Sequence, residues 1–375
     1  MTREEIEIQF FELYAKWVWP IQRRFLGETI TPRCATCAIS ANASTLENGC
    51  CEACRIGATV REDQACRTSE TTLSALIKTM SNAASGDYDA AVLFSGGKDS
   101  TYMLHRLRSE YPSLRLIALT IDNSFMSSAA LRNIETVLQK FDVPHRYLRP
   151  PAAVMEKMFR YAFLNLKGRG TAQVVDQFDG DFFCDYARNF AHEHRIPYIF
   201  CGLSPFQVDR ILGLQSFLTS KEEEGQNRVE VADLALAEIF SEEERRTYWW
   251  HGADCPYEER PQLVFPFCGW QLPEGTIRKE TTRLNLLASH SESPLVTNNQ
   301  LIPLMAIVDF CRLGYSSFEP EFAEMARRGD ADTTYWRPIF ELGEYTAKTG
   351  RFAPRNVENV LRRLALTRSE LGIPW

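Results

Sequence analysis

A repeating order of short apolar runs and helical stretches constrains this chain more than any other feature. The runs are Ala90-Ala91-Val92-Leu93-Phe94, Leu116-Ile117-Ala118-Leu119-Thr120-Ile121, the briefer Arg146-Tyr147-Leu148, and Ile196-Pro197-Tyr198-Ile199-Phe200. Helical patterning covers about 68–83, 100–110, 127–141 and 184–194, before and between them. Continuous apolar strands, rather than alternating ones, are what a parallel sheet covered on both faces requires, with right-handed crossovers. The predicted fold class is α/β, with a doubly wound parallel sheet.

Ser95-Gly96-Gly97-Lys98-Asp99-Ser100 stands between the first run and the helix that follows it. Gly96 and Gly97 permit positive φ and close backbone approach, so successive N–H groups can point at one anion. The helix adds unpaired N–H groups and the positive end of its dipole. Ser100 is expected to cap that helix, and Lys98 to supply a fixed positive charge. The G-x-x-x-x-G-K-[ST] spacing is absent, so this is not a Walker A loop. Asp122, at the end of the second run, and Gly202, after the fourth, stand where a doubly wound sheet places nucleotide contacts.

Cys34-x-x-Cys37 and Cys51-x-x-Cys54 form two knuckles thirteen residues apart. Two such knuckles complete a tetrahedron of thiolates, so structural zinc on Cys34, Cys37, Cys51 and Cys54 is favoured over empty thiols or an iron–sulfur cluster. Cys50 offers an alternative ligand at a less usual spacing. Four protein ligands leave no open position for a substrate.

The N-terminus, Met1-Thr2-Arg3-Glu4-Glu5, has no apolar signal core, and no apolar run is long enough to cross a membrane, so a cytoplasmic protein is expected. A net charge of −7 disfavours nucleic acid as a partner. Ile6, Phe10, Phe11, Tyr14, Trp17 and Val18 share one face of an N-terminal helix, expected to pack on its own domain. The division read from the sequence is an N-terminal helix (1–33), a cysteine module (34–66), a nucleotide domain (67–220) and a mainly helical C-terminal region completing the substrate site (221–375). Helices are expected over 230–246, 301–313, 318–328 and 355–371. Asp176, Asp179, Asp181 and Asp185 read, each taken singly, more readily as a solvated acidic loop than as Mg²⁺ ligands. Asp181 and Asp209 are the candidate Mg²⁺ contacts. The lone cysteines Cys255, Cys268 and Cys311 and the run Tyr248-Trp249-Trp250-His251 read as core, and the histidines are given no role.

The hexapeptide at 95–100 resembles the SGGxDS signature of PP-loop, or N-type, ATP pyrophosphatases. That resemblance implies an adenine nucleotide alpha hydrolase-like fold, with Lys98 and Asp99 at the catalytic loop and Ser95, Gly96, Gly97 and Ser100 around pyrophosphate. It implies an adenylate, displaced by a nitrogen or sulfur nucleophile, with AMP and pyrophosphate as products. Together with Cys34-Ala35-Thr36-Cys37, Glu47-Asn48-Gly49-Cys50-Cys51-Glu52-Ala53-Cys54 and Thr120-Ile121-Asp122-Asn123, it resembles the N-acetyl sugar amidotransferases of surface-polysaccharide biosynthesis. Fainter likeness continues through Phe265-Pro266-Phe267 and Thr297-Asn298-Asn299.

What this implies is ammonia replacing the oxygen of an adenylated acetamido or carboxyl group on a small, sugar-linked molecule. A separate glutaminase subunit would supply the ammonia, since the chain shows no Cys–His–Glu nucleophile context of its own, and a homodimer remains open. Two departures bear on the substrate. Cys201-Gly202-Leu203-Ser204 replaces a Gly-Glu-Asn-Pro-like segment, and Asn299 stands near a position where relatives carry cysteine. Two alternatives are carried forward. One is a sulfurtransferase using the same adenylate, although it lacks the extra CxxC usual there. The other is a non-catalytic ATP-binding subunit, against which the intact hexapeptide argues.

Overall fold

A computed structural model describes residues 2–26, 29–57, 69–81, 86–210, 212–270, 272–287, 293, 295 and 297–375. The chain folds into two compact units, one of Met1–Glu62, Phe159–Asp176 and Ser293–Trp375, the other of Asp63–Met158 and Gln177–Glu292. Among the described residues no helix is long and apolar enough to cross a membrane.

The first unit combines the N-terminal helix, the cysteine module and the C-terminal helices. Thr2 and Glu5 form a capping box that starts helix Arg3–Leu13. A π-turn at Tyr14–Val18 and a short helix at Trp19–Gln22 continue it. Its inward side is Glu5, Ala15 and Trp19, with Trp19 Nε1 donating to Glu341 at 3.0 Å. Ile6, Phe10, Trp17 and Val18 stay exposed, contrary to the expected packing of that face. The reason is that Arg23 and Trp19 both reach Glu341 on helix Thr333–Thr349, which fixes the other side inward.

In the cysteine module, β1 (Leu46–Glu47) and β2 (Cys50–Cys51) form a tight hairpin. Asn48 and Gly49 both have positive φ there, as an Asn-Gly hairpin turn requires. Residues 58–66 of the expected module lie outside the described residues. Helices Ile302–Leu313, Glu319–Arg328 and Thr333–Thr349 complete this unit, with Asn356–Arg363 and Arg368–Leu371 beyond a break at 364–367.

The second unit holds the predicted parallel sheet. Its strands are β3 (Ala90–Leu93), β4 (Leu116–Ile121), β5 (His145–Leu148), β6 (Tyr198–Phe200) and, after an intervening antiparallel pair β7 (Glu230–Val231) and β8 (Leu234–Ala235), β9 (Gln262–Val264). The order is β5-β4-β3-β6-β9, all parallel. Successive strands run outward from β3 to one edge and then, from β6, to the other. The switch point therefore lies between β3 and β6, where open α/β sheets bind ligands. Every residue of β4 is buried, in keeping with a sheet covered on both faces.

Residues 230–246 do not form the expected helix. Ala232 and Asp233 both adopt positive φ and turn β7 into β8. A helix begins only at Glu242, where Ser241 and Glu244 make a capping box. Asp179, Asp181 and Asp185 lie buried on helix Gln177–Glu193 rather than in a solvated loop. They are tolerated because partners face them: Asn123 donates to both oxygens of Asp179 at 3.0 Å, and Arg188 meets Asp185 at 2.7 Å. Asp176, in the first unit, has its pKa pushed up to about 6 by burial.

Candidate functional site: the loop at the sheet switch point

Chain geometry at the end of β3 is set by one glycine. Gly96 has φ of +72°, and a Cβ built there would stand 2.3 Å from the Ala130 carbonyl oxygen and 2.9 Å from Ile134 Cγ1. Helix Ser128–Lys140 thus packs its own backbone against the loop, which leaves no room for a side chain. Asn133, buried on that helix, donates Nδ2 to the Gly96 carbonyl at 2.8 Å. Sequence reading singled out neither Ala130 nor the Asn133 bond, because both belong to an element thirty residues downstream.

Gly97 differs from expectation. Its φ is −74°, and it is the N-cap of helix Lys98–Glu110. Ser100 is consequently not the cap but a clasp within the first turn. Its Oγ donates to the Gly97 carbonyl at 3.2 Å, lies 3.1 Å from Ser95 Oγ, and accepts from Ser95 N at 3.3 Å. The clasp closes the loop on itself. The backbone N–H groups of Lys98, Asp99 and Ser100 sit in the first turn, where no helical carbonyl precedes them. Lys98 Nζ pairs with Asp99 at 2.7 Å, and both side chains are partly exposed. An anion at this helix end meets N–H groups, the helix dipole and an ammonium together.

Gly202 follows β6 across the switch point. A Cβ there would meet Ser100 N and Met103 Cε at 3.5 Å, ordinary contact distance, so the two strand ends lie against each other. Cys201, just before it, is buried and donates its N–H to Val264 at 2.8 Å. The Cys184 thiol on helix Gln177–Glu193 has Cys201 as a neighbour, and that neighbour together with burial pushes Cys184 well above the usual thiol range. Asp122 leaves β4, accepts from Ser124 N at 3.0 Å and faces Arg149 at 3.4 Å.

His145 adds a fixed neutral ring beside β4. Thr120 Oγ1 donates its one proton to the Phe94 carbonyl at 2.6 Å, so at 2.8 Å it accepts from His145 Nε2–H. Burial, helped by Arg149, lowers the ring's pKa to about 4.

The two Mg²⁺ candidates are placed differently. Asp181 accepts from Gln177 at 3.0 Å and faces Arg228 at 3.5 Å, while Asp209 accepts from Gln215. Among the described residues, the only cluster of three or more metal-capable side chains is the cysteine quartet.

In that quartet the sulfurs of Cys34, Cys37, Cys51 and Cys54 all lie within 4.8 Å of one another. Cys50 is not among them. Cys37 Sγ and Cys51 Sγ are 3.7 Å apart. Thiolates about 2.3 Å from a shared zinc stand about 3.8 Å from one another. The quartet therefore fits one tetrahedral ion, whereas a four-iron cluster seats its thiolates on separate irons and spreads them wider. Burial opposes ionisation of Cys34, yet N–H groups of Cys37, Cys51 and Thr36 outweigh it and lower the pKa to about 6. Burial lifts Cys37 to about 11, with the Cys34 sulfur adding to it, and Cys54 rises as well. Four thiols this close ionise together only around a cation.

One further grouping emerged that sequence spacing had hidden. Cys255 Sγ lies 3.5 Å from His192 Nδ1, and Glu259 lies 3.9 Å from the same nitrogen. Thiol and carboxylate share one ring nitrogen, so the carboxylate does not orient a base from the opposite side. Burial also raises the Cys255 pKa. This is not an activated nucleophile.

No protein-family model matches the chain, and no curated protein matches it. Among solved structures, it is similar to a U34-tRNA thiolase NcsA from Methanococcus maripaludis with its [4Fe-4S] cluster, at 13% identity and a TM-score of 0.34, covering 92% of this chain and 100% of that one. It is also similar to an NMN synthetase from Francisella tularensis, at 11% identity and a TM-score of 0.33, covering 72% of this chain and 96% of that one. Likeness at this level carries no argument about what the site acts on.

Proposed function

We propose that this chain is an adenylating enzyme that splits ATP between its α and β phosphates. The observation that carries the reading is the clasped loop Ser95–Ser100 at the sheet switch point, with the first-turn N–H groups of helix Lys98–Glu110 at its end and the Lys98–Asp99 pair beside them. An acceptor oxygen attacks the α-phosphorus, the bond to the bridging oxygen breaks, and pyrophosphate leaves with the electron pair. Charge growing on that leaving group meets donors already in place, so no reorganisation is needed as the bond breaks. Mg²⁺ enters with the phosphates. Asp209 is its proposed carboxylate contact, because Arg228 already faces Asp181.

The acceptor we propose is an acetamido or carboxyl group on a small, sugar-linked molecule. Ammonia adds to the activated carbon and AMP departs, as the resemblance to N-acetyl sugar amidotransferases implies. Ammonia comes from a separate glutaminase subunit or from ammonium. A zinc ion on Cys34, Cys37, Cys51 and Cys54 would crosslink the module and take no part in the chemistry. The test is product identification with candidate acceptors, Mg²⁺ and ammonium. AMP and pyrophosphate are expected, and stoichiometric ADP overturns the reading. Turnover from glutamine by the isolated chain overturns the separate ammonia source.

A second reading is favoured by the thiol pair. Cys184 and Cys201 are neighbours, and Cys201 stands at the end of β6 next to the glycine that packs on Ser100. In this reading a persulfide on Cys201, loaded by a separate sulfur donor, attacks the adenylated carbon through its outer sulfur as AMP leaves. The Cys184 thiol then closes a disulfide with Cys201, releasing that sulfur in the product, and an external thiol reductant reopens the disulfide. Incorporation of labelled sulfur into product, lost in Cys201→Ser, would select this reading over the first.

A further inference from the structure

Apolar side chains along the N-terminal helix form a stripe that its own unit leaves largely exposed. Ile6, Phe10, Leu13, Trp17, Ile21 and Phe25 follow one another at three- and four-residue steps, once the extra residue of the π-turn Tyr14–Val18 is counted. That is the spacing of a helix-pairing seam. Their exposures are 51, 57, 52, 65, 64 and 81%, while the opposite side buries Ala15 and Trp19 completely. Packing within the unit is thus carried mainly by the other face, with Phe10 also stacked on Phe352 at 6.4 Å.

We propose that this stripe is the seam of a homodimer, with the N-terminal helices of two copies lying antiparallel across a two-fold axis. Area supports a second copy as the occupant. With aromatic side chains at ~200 Å² and aliphatic ones at about half that, the stripe exposes roughly 550 Å² per copy. Two copies together remove roughly 1,100 Å², which reaches the ~1,000 Å² expected of a specific interface.

Charge supports the direction. Apart from Glu5, which is buried, and Arg23, which is held by Glu341, residues 3–13 carry Glu4, Glu7 and Glu12 against Arg3, and residues 14–25 carry Lys16 and Arg24 with no acid. Antiparallel pairing sets each acidic half beside the partner's basic half and opposes the two helix dipoles. It also brings Phe25 against Ile6 and Trp17 near Leu13 at the axis, which a self-complementary two-fold contact requires. An anionic membrane is a poorer occupant, because the acidic half would face like charge.

Sedimentation velocity on the full chain, over a range of concentrations and salt, tests the proposal. A dimer is expected at micromolar concentration, weakening as salt rises. Parallel pairing would instead tighten with salt, since screening relieves like charges, and that result overturns the antiparallel seam. Trp17→Asp should raise the dissociation constant at least ~30-fold, the scale of a buried aromatic anchor, with circular dichroism and melting temperature unchanged. Phe25→Asp, at the most exposed position, serves as the second variant should Trp17→Asp misfold. A dimer that survives both substitutions, or a wild-type monomer at ~50 μM, refutes the proposal. So does flotation of the monomer with phosphatidylglycerol vesicles, which would make the stripe a membrane contact.

Discussion

In a Gly96→Ala protein the new methyl carbon would begin 2.3 Å from the Ala130 carbonyl oxygen and 2.9 Å from Ile134 Cγ1. Real Cβ atoms stay beyond about 3 Å from backbone oxygens, so loop and helix must part by most of an ångström. The contact is with backbone, and the Asn133–Gly96 hydrogen bond at 2.8 Å lies in the same place, so relief on one side breaks the other. An alanine at φ of +72° costs roughly 1–2 kcal/mol. Overpacking costs roughly 1–3 kcal/mol, and the lost hydrogen bond about 1 kcal/mol. These overlap, and a total of about 3 kcal/mol is expected, read as a shift in the urea midpoint at unchanged slope. ATP-dependent pyrophosphate release should fall further than stability does, since the displaced carbonyl carries the first-turn N–H groups with it. Asn133→Ala should lose about 1 kcal/mol and keep partial activity. Wild-type stability and turnover in Gly96→Ala would refute the packing argument and the loop's role together.

Lys98→Ala and Asp99→Ala should each slow AMP formation by roughly a hundredfold or more, with melting temperature unchanged because both side chains are partly exposed; full activity in Lys98→Ala would remove the loop from the reaction. Gently purified protein should carry one zinc per chain by elemental analysis, and Cys34→Ser should cost solubility more than ATP affinity; a single iron instead would refute zinc, and several irons with acid-labile sulfide would refute the one-ion tetrahedral fit. His145 is held neutral with its pKa lowered to about 4. Its unfolded form takes a proton near pH 6.5, so its share of stability is present above that pH and is lost as pH falls toward 4. The loss is roughly 2–3 kcal/mol after allowing for partial exposure of the ring, and His145→Gln should flatten the urea-midpoint profile over this window; an unchanged profile would refute the neutral-ring assignment.

The sheet was legible where apolar runs were long enough to exclude other readings. β4 is the clearest case, as six consecutive apolar or threonine residues proved buried throughout. β9 escaped because Gln262-Leu263-Val264 is three residues long and runs into Pro266. Its place is fixed by β6, a pairing partner sixty-four residues earlier. The loop's sequence identified an anion site but not its conformation. Only Gly96 takes positive φ, because Ala130 presses on it, and local sequence does not carry that contact. The N-terminal helix stands where it was expected, but the face expected to turn inward is exposed. The choice depends on Glu341, more than three hundred residues away, which accepts from Trp19 and Arg23. Likewise Asp179 looked solvated because Asn123, fifty-six residues earlier, could not be placed beside it from the sequence, whereas the Asp185–Arg188 pair, three residues apart on an expected helix, was open to local reading.

Arg33 stands immediately before Cys34 and is fully buried, with Glu319 at 2.6 Å and Glu344 at 3.7 Å. Arg337 donates to the Cys34 carbonyl at 2.5 Å, so the first knuckle is tied to two helices through adjacent residues. Loosening the knuckle loosens the segment that carries this arginine, and a buried charge stripped of its partner is costly. Metal occupancy and helix packing are therefore linked by mass action. If the quartet holds zinc only in the folded state, each tenfold change in free zinc moves the stability of this unit by about 1.4 kcal/mol. Expression in metal-poor medium then acts as a destabilising condition even though no residue has changed. The first structure to respond is the helix pair bearing Glu319 and Glu344, which has no cysteine of the quartet in it.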